Sequence, residues 1–105
     1  MLRIYDDIIA LIRELAHVLA RIARHDSDLA KQFRRAAASI ALNTAEAGGV
    51  RGGSRRLRFS TALGSAKEVR ACLEVAVALG YIEPLSEATD DRMDKVIATL
   101  FKLAR

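Results

Sequence analysis

The sequence is poor in the residues that mark turns, disulfides and aromatic clusters. Among 105 residues it has no tryptophan, one proline, one cysteine and six glycines, and aromatic residues make up only 5%. A β-sandwich or β-barrel needs a turn signal roughly every 8–12 residues, so this composition excludes both. The lone Cys72 cannot form an internal disulfide, and the cysteine content therefore gives no sign of an oxidising compartment.

Long apolar runs are also missing from the N-terminal region. Its amphipathic stretch is interrupted by Asp6, Asp7, Arg13 and Glu14. A signal peptide or a membrane-spanning helix needs an uninterrupted apolar segment instead. We therefore expect a cytoplasmic protein that has no membrane partner.

Hydrophobic residues make up 51% of the chain and are chiefly Leu, Ile, Val and Ala. Such side chains favour helices packed closely on helices. Apolar residues recur at alternating three- and four-residue steps, which predicts helices over about 2–24, 28–47, 54–79 and 86–104. The length suits one core, so we expect a single domain over residues 1–105. Short links between the helices predict an all-α, antiparallel up-down-up-down four-helix bundle.

The segment ends carry recognisable capping residues. Ser27 and Ser86 are the expected N-caps of the second and fourth helices, and Gly80 is the expected C-cap of the third. The run from Gly48 to Gly53 contains four glycines. It has no helical preference, so we expect it to form a mobile loop.

Charge is unevenly distributed along the chain, whose formal net charge is +4. Residues 31–58 hold seven basic side chains against the single acid Glu46, whereas acids outnumber bases between Glu83 and Lys95. The molecule therefore has a basic region and an acidic region, a balance that favours polyanionic partners.

Polar residues interrupt the apolar rows of the second and third helices. They are Ser39, Asn43 and Glu46 on the second helix and Ser65 and Glu68 on the third. One interpretation is a structural polar network that fixes helix register. The other is a paired-carboxylate metal site, but neither Glu46 nor Glu68 has the histidine three residues on that helix-bundle metal sites normally add. We expect no metal and no cofactor.

The arginines after the glycine-rich run give a second polar signal. Arg51, Arg55, Arg56 and Arg58 suit bidentate contact with phosphates, and they equally suit a solvated linker paired with acids of a neighbouring helix or subunit. The phosphate-binding loop pattern is excluded because its lysine is missing and a helix precedes it. His17 and His25 lie eight residues apart and have no nucleophile nearby in sequence, so no enzyme activity is expected.

A set of separated motifs resembles a known family. The motifs include Asp28-Leu29, Gln32, residues 34–40, Asn43, Ala45-Glu46, Arg58-Phe59, Ala62, Gly64-Ser65, Glu68, Leu73 and residues 79–82. They are similar to the four-helix bundle proteins first met as products of intervening sequences within bacterial 23S ribosomal RNA genes. The chain departs from that pattern at Ala47, where a glycine usually follows the Ala-Glu pair.

The resemblance implies a ring-shaped homopentamer in a family whose members mostly lack an assigned function. A related branch comprises accessory proteins of diversity-generating retroelements, which are basic pentamers that bind nucleic acid and a reverse transcriptase. By that resemblance the candidate nucleic-acid contacts are Arg34, Arg35, Arg51, Arg55, Arg56 and Arg58. We expect a homo-oligomeric adaptor that binds RNA or DNA through its backbone. The alternative is a protein-interaction or structural scaffold without a nucleic-acid role.

Overall fold

The computed structural model describes residues 3–105, and these form four helices. The helices are α1 (Arg3–His25), α2 (Ser27–Ala47), α3 (Gly52–Ala78) and α4 (Glu87–Ala104). The described range contains no strand, which confirms the predicted all-α four-helix bundle. The helix ends lie within two residues of their predicted positions, except that the start predicted at residue 2 lies outside the described residues.

Helix α2 begins at a different capping residue from the one expected. Asp26, not Ser27, is the N-cap, and its carboxylate accepts a hydrogen bond from the backbone N–H of Leu29 at 2.9 Å. Asp26 has the extended backbone that an N-cap needs, whereas Ser27 is already helical. Ser86 caps α4 as predicted and accepts a hydrogen bond from the N–H of Thr89 at 3.2 Å.

Helix α3 ends in a left-handed turn at Gly80, one residue beyond the C-cap Leu79. Gly80 has a φ of 77°, a region that residues with a Cβ rarely adopt. Its N–H donates to the Val77 carbonyl, and the N–H of Tyr81 donates to the Ala76 carbonyl at 2.9 Å. These two bonds form a Schellman motif, which satisfies carbonyls that the helix end would otherwise leave free.

The four helices pack in cyclic order around one core. Each contacts the next along the chain, α1 also contacts α4, and α2 with α3 form the most extensive pair. Ala36 on α2 and Ala62 and Ala66 on α3 are buried, and small side chains of this kind let helix backbones approach closely. The largest fully buried side chains are Phe33, Phe59, Ile8, Leu11, Ile22, Ile40, Met93 and Leu100.

Several large apolar side chains remain on the surface. Leu42, Leu57, Val75, Leu79 and Phe101 are between 45% and 66% exposed; two of them lie on α3, and Leu79 is its C-cap. Within residues 3–105, no helix combines the length and the apolar character needed to cross a bilayer.

Candidate nucleic-acid interface

The connection between α2 and α3 is shorter and more ordered than the predicted mobile loop. Gly48 and Gly49 continue the last turn of α2, since their N–H groups donate to the carbonyls of Ala45 and Glu46 at 3.2 and 3.0 Å. Gly52 has a φ of 60° and begins α3. The arginines that follow are thereby placed on the first two turns of a helix rather than on a flexible linker.

Two of these arginines are held by contacts inside the bundle. The Nη1 of Arg55 donates to the Ala47 carbonyl at 3.1 Å, and its guanidinium lies 5.2 Å from the centre of the Phe59 ring. The Nη2 of Arg58 lies 3.1 Å from the Glu46 carboxylate, and its Nη1 donates to Asn43 at 3.4 Å. These contacts join the end of α2 to the start of α3.

Arg51 and Arg56 are exposed and make no salt bridge within residues 3–105. Arg51 is the N-cap of α3, its side chain makes no capping hydrogen bond, and the first turn of the helix contains no acid. The N-terminus of a helix carries a partial positive charge. We call Arg51, Arg55, Arg56 and this first turn the basic end. None of these three arginines makes a salt bridge with a carboxylate of residues 3–105.

The remaining two candidates, Arg34 and Arg35, lie elsewhere on α2. Arg35 is twelve residues before the end of the helix at Ala47, which corresponds to about 18 Å along its axis. Arg34 lines a groove between α1 and α2, whereas Arg35 lines a pocket with Lys31 and Glu68. The structure therefore does not bring all six predicted arginines into one site.

The predicted polar residues form a row of hydrogen bonds along the α2–α3 seam. The Ser65 hydroxyl donates to the Ser39 hydroxyl at 2.7 Å, and the Asn43 amide donates to both the hydroxyl and the carbonyl of Ser39 at 3.0 Å. Arg58 extends this row to Glu46. The row is half-buried rather than fully buried, because Arg58 and Glu46 reach solvent.

Glu68 is not part of that row, so it and Glu46 do not form a pair. Glu68 accepts a hydrogen bond from the Gln32 amide at 3.3 Å. Gln32 precedes Glu46 by fourteen residues, which places the two carboxylates about 21 Å apart along the bundle. The paired-carboxylate interpretation is therefore wrong, and residues 3–105 contain no group of three or more side chains suited to a metal.

A contact that the sequence did not reveal joins the two connections at the opposite end of the bundle. The Tyr81 hydroxyl donates to the Asp26 carboxylate at 3.2 Å, and its ring stacks on His25 with centroids 5.1 Å apart. Partial burial, then the hydrogen bond to Asp26 and its negative charge, raise the pKa of Tyr81. Tyr81 and Asp26 are 55 residues apart, so no local pattern indicated their contact.

Comparison with solved structures shows that this architecture has a precedent. The crystal structure of a protein of unknown function from the S23 ribosomal protein family of Bacteroides thetaiotaomicron superposes with a TM-score of 0.81. Sequence identity is 16%, and the superposition covers 97% of this chain and 98% of the other, so the likeness concerns the fold. Curated proteins yielded no match. Residues 1–102 match the sequence profile of the 23S rRNA-intervening sequence proteins, and the chain therefore belongs to that family.

Proposed function

We propose that this protein is a non-enzymatic, homo-oligomeric adaptor, a pentamer by its family resemblance, that binds the phosphate backbone of RNA or DNA through the basic end. The observation that carries the proposal is that neighbouring arginines differ in their contacts. Arg55 and Arg58 are tied to α2, whereas Arg51 and Arg56 are exposed beside them and make no salt bridge within residues 3–105. Arg51 and Arg56 can therefore engage phosphates without first breaking a salt bridge within residues 3–105.

The same surface argues for contact with phosphates rather than with bases. Phe59 is the aromatic residue nearest these arginines in sequence, and it is 1% exposed beneath Arg55, so it offers no platform for base stacking. Binding through phosphates is tolerant of sequence and sensitive to salt. The proposal therefore includes little discrimination between RNA and DNA sequences.

A mobility-shift titration with structured RNA and with duplex DNA tests the proposal. We expect the double variant Arg51→Ala/Arg56→Ala to weaken binding at about 50 mM salt. The slope of log affinity against log salt should also decrease by about 2, since each lost phosphate contact removes about one unit.

The matched control is Arg21→Ala/Arg24→Ala, which removes the same charge from two exposed positions. Both lie near the C-terminal end of α1, at the end of the bundle opposite the basic end. We expect the control to bind almost as tightly as the unaltered protein. Equal loss in the two double variants would show that total charge, not the basic end, drives association. Absence of any shift at low salt would remove the nucleic-acid role.

A second function is favoured by the exposed apolar residues. Leu42, Leu57, Val75 and Leu79 suit a protein interface better than water. On this alternative the bundle is a scaffold for a protein partner, such as a reverse transcriptase, and the arginines join subunits. Charge reversal by Arg51→Glu/Arg56→Glu separates the two functions: loss of RNA binding with the oligomer intact supports the adaptor, whereas dissociation of the oligomer supports the scaffold.

A further inference from the structure

One face of α3, continued by the C-cap Leu79, is exposed along the helix, and the Glu68 at its middle accepts a hydrogen bond from Gln32 of α2. This outer stripe consists of Leu57, Gly64, Glu68, Ala71, Val75 and Leu79, all of them exposed. Leu57 and Leu79, at its two ends, are 66% and 57% exposed. Three- and four-residue multiples separate the members, so they lie on one side of the helix. Leu57, Val75 and Leu79 are its large apolar members, and the exposed polar Thr61 lies between Leu57 and Gly64. Exposed apolar side chains grouped on one face are typical of a contact surface.

Folding of the single chain does not require a glycine at position 64 of the stripe. Glycine inside a helix is destabilising by about 1 kcal/mol relative to alanine. A Cβ at Gly64 would meet no atom within 4 Å, so packing inside the chain gives no reason for its absence. The glycine does allow another backbone to approach α3 closely from outside.

A second unpartnered apolar surface lies between α1 and α2. This inter-helix groove has a volume of about 190 Å³, and Ile12, Ala16, Leu19 and Ala38 contribute to its lining. Arg34 is the one charged residue of the lining, and it makes no salt bridge within residues 3–105. The groove is therefore apolar with a single positive charge, and the outer stripe is apolar with a single negative charge.

We propose that the outer stripe of one copy of the chain packs into the inter-helix groove of a second copy, with Glu68 facing Arg34. This inference rests on the self-assembly included in the proposed function and names the surfaces that perform it. A symmetric contact between two outer stripes is disfavoured, because Glu68 is the midpoint between Leu57 and Leu79. Pairing two stripes would set Glu68 of each copy against its equivalent.

The positions of Glu68 and Arg34 along the bundle axis, here called their heights, also fit contact between the stripe and the groove. The hydrogen bond between Gln32 and Glu68 places Glu68 level with the early part of α2. Arg34 is only two residues beyond Gln32, or about 3 Å along the helix. Rotation about an axis parallel to the bundle preserves height, so it brings Arg34 of one copy level with Glu68 of the next. Contacts between two different faces build closed rings when the rotation closes.

The first experiment is light scattering coupled to size-exclusion chromatography on Gly64→Leu. We expect the leucine to block close approach and to reduce the measured mass from that of the oligomer to that of the 11.5 kDa chain. The open space around Gly64 allows the helix to form, which far-UV circular dichroism checks. The matched control is Ala98→Leu, a similar enlargement at an exposed position on α4, and its mass should not change.

The second experiment exchanges the two charges. Glu68→Arg and Arg34→Glu should each dissociate the oligomer, and the double variant Glu68→Arg/Arg34→Glu should restore it. Assembly that persists in Gly64→Leu and in both single charge variants would overturn this contact while leaving self-assembly in place. An unaltered protein that elutes as a single chain at high concentration would overturn both, whereas RNA binding is measured separately by mobility shift.

Discussion

Thr44 is a polar side chain that is buried without the hydrogen bond that usually accompanies burial. It is fully buried in α2, and its hydroxyl has no hydrogen-bond partner among residues 3–105. A buried polar group without a partner loses its hydration and gains nothing in return. The side chain of Thr44 is therefore packed like that of an apolar residue, and the buried hydroxyl costs desolvation free energy.

Replacement of Thr44 by valine keeps the shape of the side chain and removes the hydroxyl. We expect Thr44→Val to increase the free energy of unfolding by about 1 kcal/mol, since the desolvation penalty disappears. Urea denaturation measures this difference. The control is Thr61→Val, an exposed position on α3, where little change is expected. A loss of stability in Thr44→Val would mean that the hydroxyl has a partner in solution.

Cys72 is buried, and its pKa is raised by that burial and, to a smaller extent, by the negative charge of Glu68. The thiolate is the reactive form, so labelling of the folded protein at pH 8 should be much slower than labelling in urea. The pKa of Cys72 is higher in the folded state than in the unfolded state. The contribution of this protonated thiol to the free energy of unfolding is therefore complete below the unfolded pKa and declines as pH rises through the folded pKa. Equal labelling rates with and without urea would contradict the burial.

Among the helices, α2 begins at an aspartate whose side chain makes two different hydrogen bonds. Asp26 caps α2 through one carboxylate oxygen and accepts the Tyr81 hydroxyl through the other. The connection between α1 and α2 is thereby attached to the connection between α3 and α4. The capping bond is local, but the bond to Tyr81 joins residues 55 apart and therefore requires tertiary packing.

Substitution of Asp26 separates the effects of these two hydrogen bonds. Asp26→Ala should decrease the free energy of unfolding by about 1 kcal/mol through loss of the N-cap alone. Asp26→Asn should be milder, because asparagine caps a helix about as well as aspartate does. Thermal unfolding by circular dichroism measures both. Equal destabilisation by the two variants would indicate that the charge, rather than the cap, stabilises this end.

The molecule as a whole owes its stability to one continuous core, for which Phe59 is a sensitive probe. Phe59 is 1% exposed, whereas Phe101 is 49% exposed on α4. We expect Phe59→Ala to cost about 3–5 kcal/mol, out of roughly 5–15 kcal/mol for a domain of this size. Phe101→Ala should cost much less. Denaturation midpoints compare them, and similar losses would contradict the assigned core.

The architecture of the molecule followed from local pattern, with instructive exceptions. The periodic apolar rows located all four helices, because burial on a helix repeats every three to four residues. The same three- and four-residue steps run through Tyr5, Ile12 and Leu19 of α1, yet these three side chains are only partly buried. The glycine-rich connection was predicted too long, because propensity does not foresee that Gly52 begins a helix.

The candidate site was less accessible from sequence. Residue types identified the arginines, but only the packed bundle divides them into Arg55 and Arg58, which bind α2, and Arg51 and Arg56, which face solvent. The same holds for Glu46 and Glu68, whose separation depends on how α2 and α3 align. Spacing within one helix indicates which side chains share a face, and it carries no information on the height at which another helix meets them.

Helix content, helix ends and the identity of most core residues were therefore encoded in short stretches of chain, because hydrogen bonds and side-chain directions in a helix link residues no more than four apart. The α2–α3 register, the attachment of Tyr81 to Asp26 and the exposed faces of α3 and of the α1–α2 groove arose only in three dimensions. These contacts join residues that are distant in the chain, and these faces are left uncovered by them. The packing of all four helices determines which residues meet.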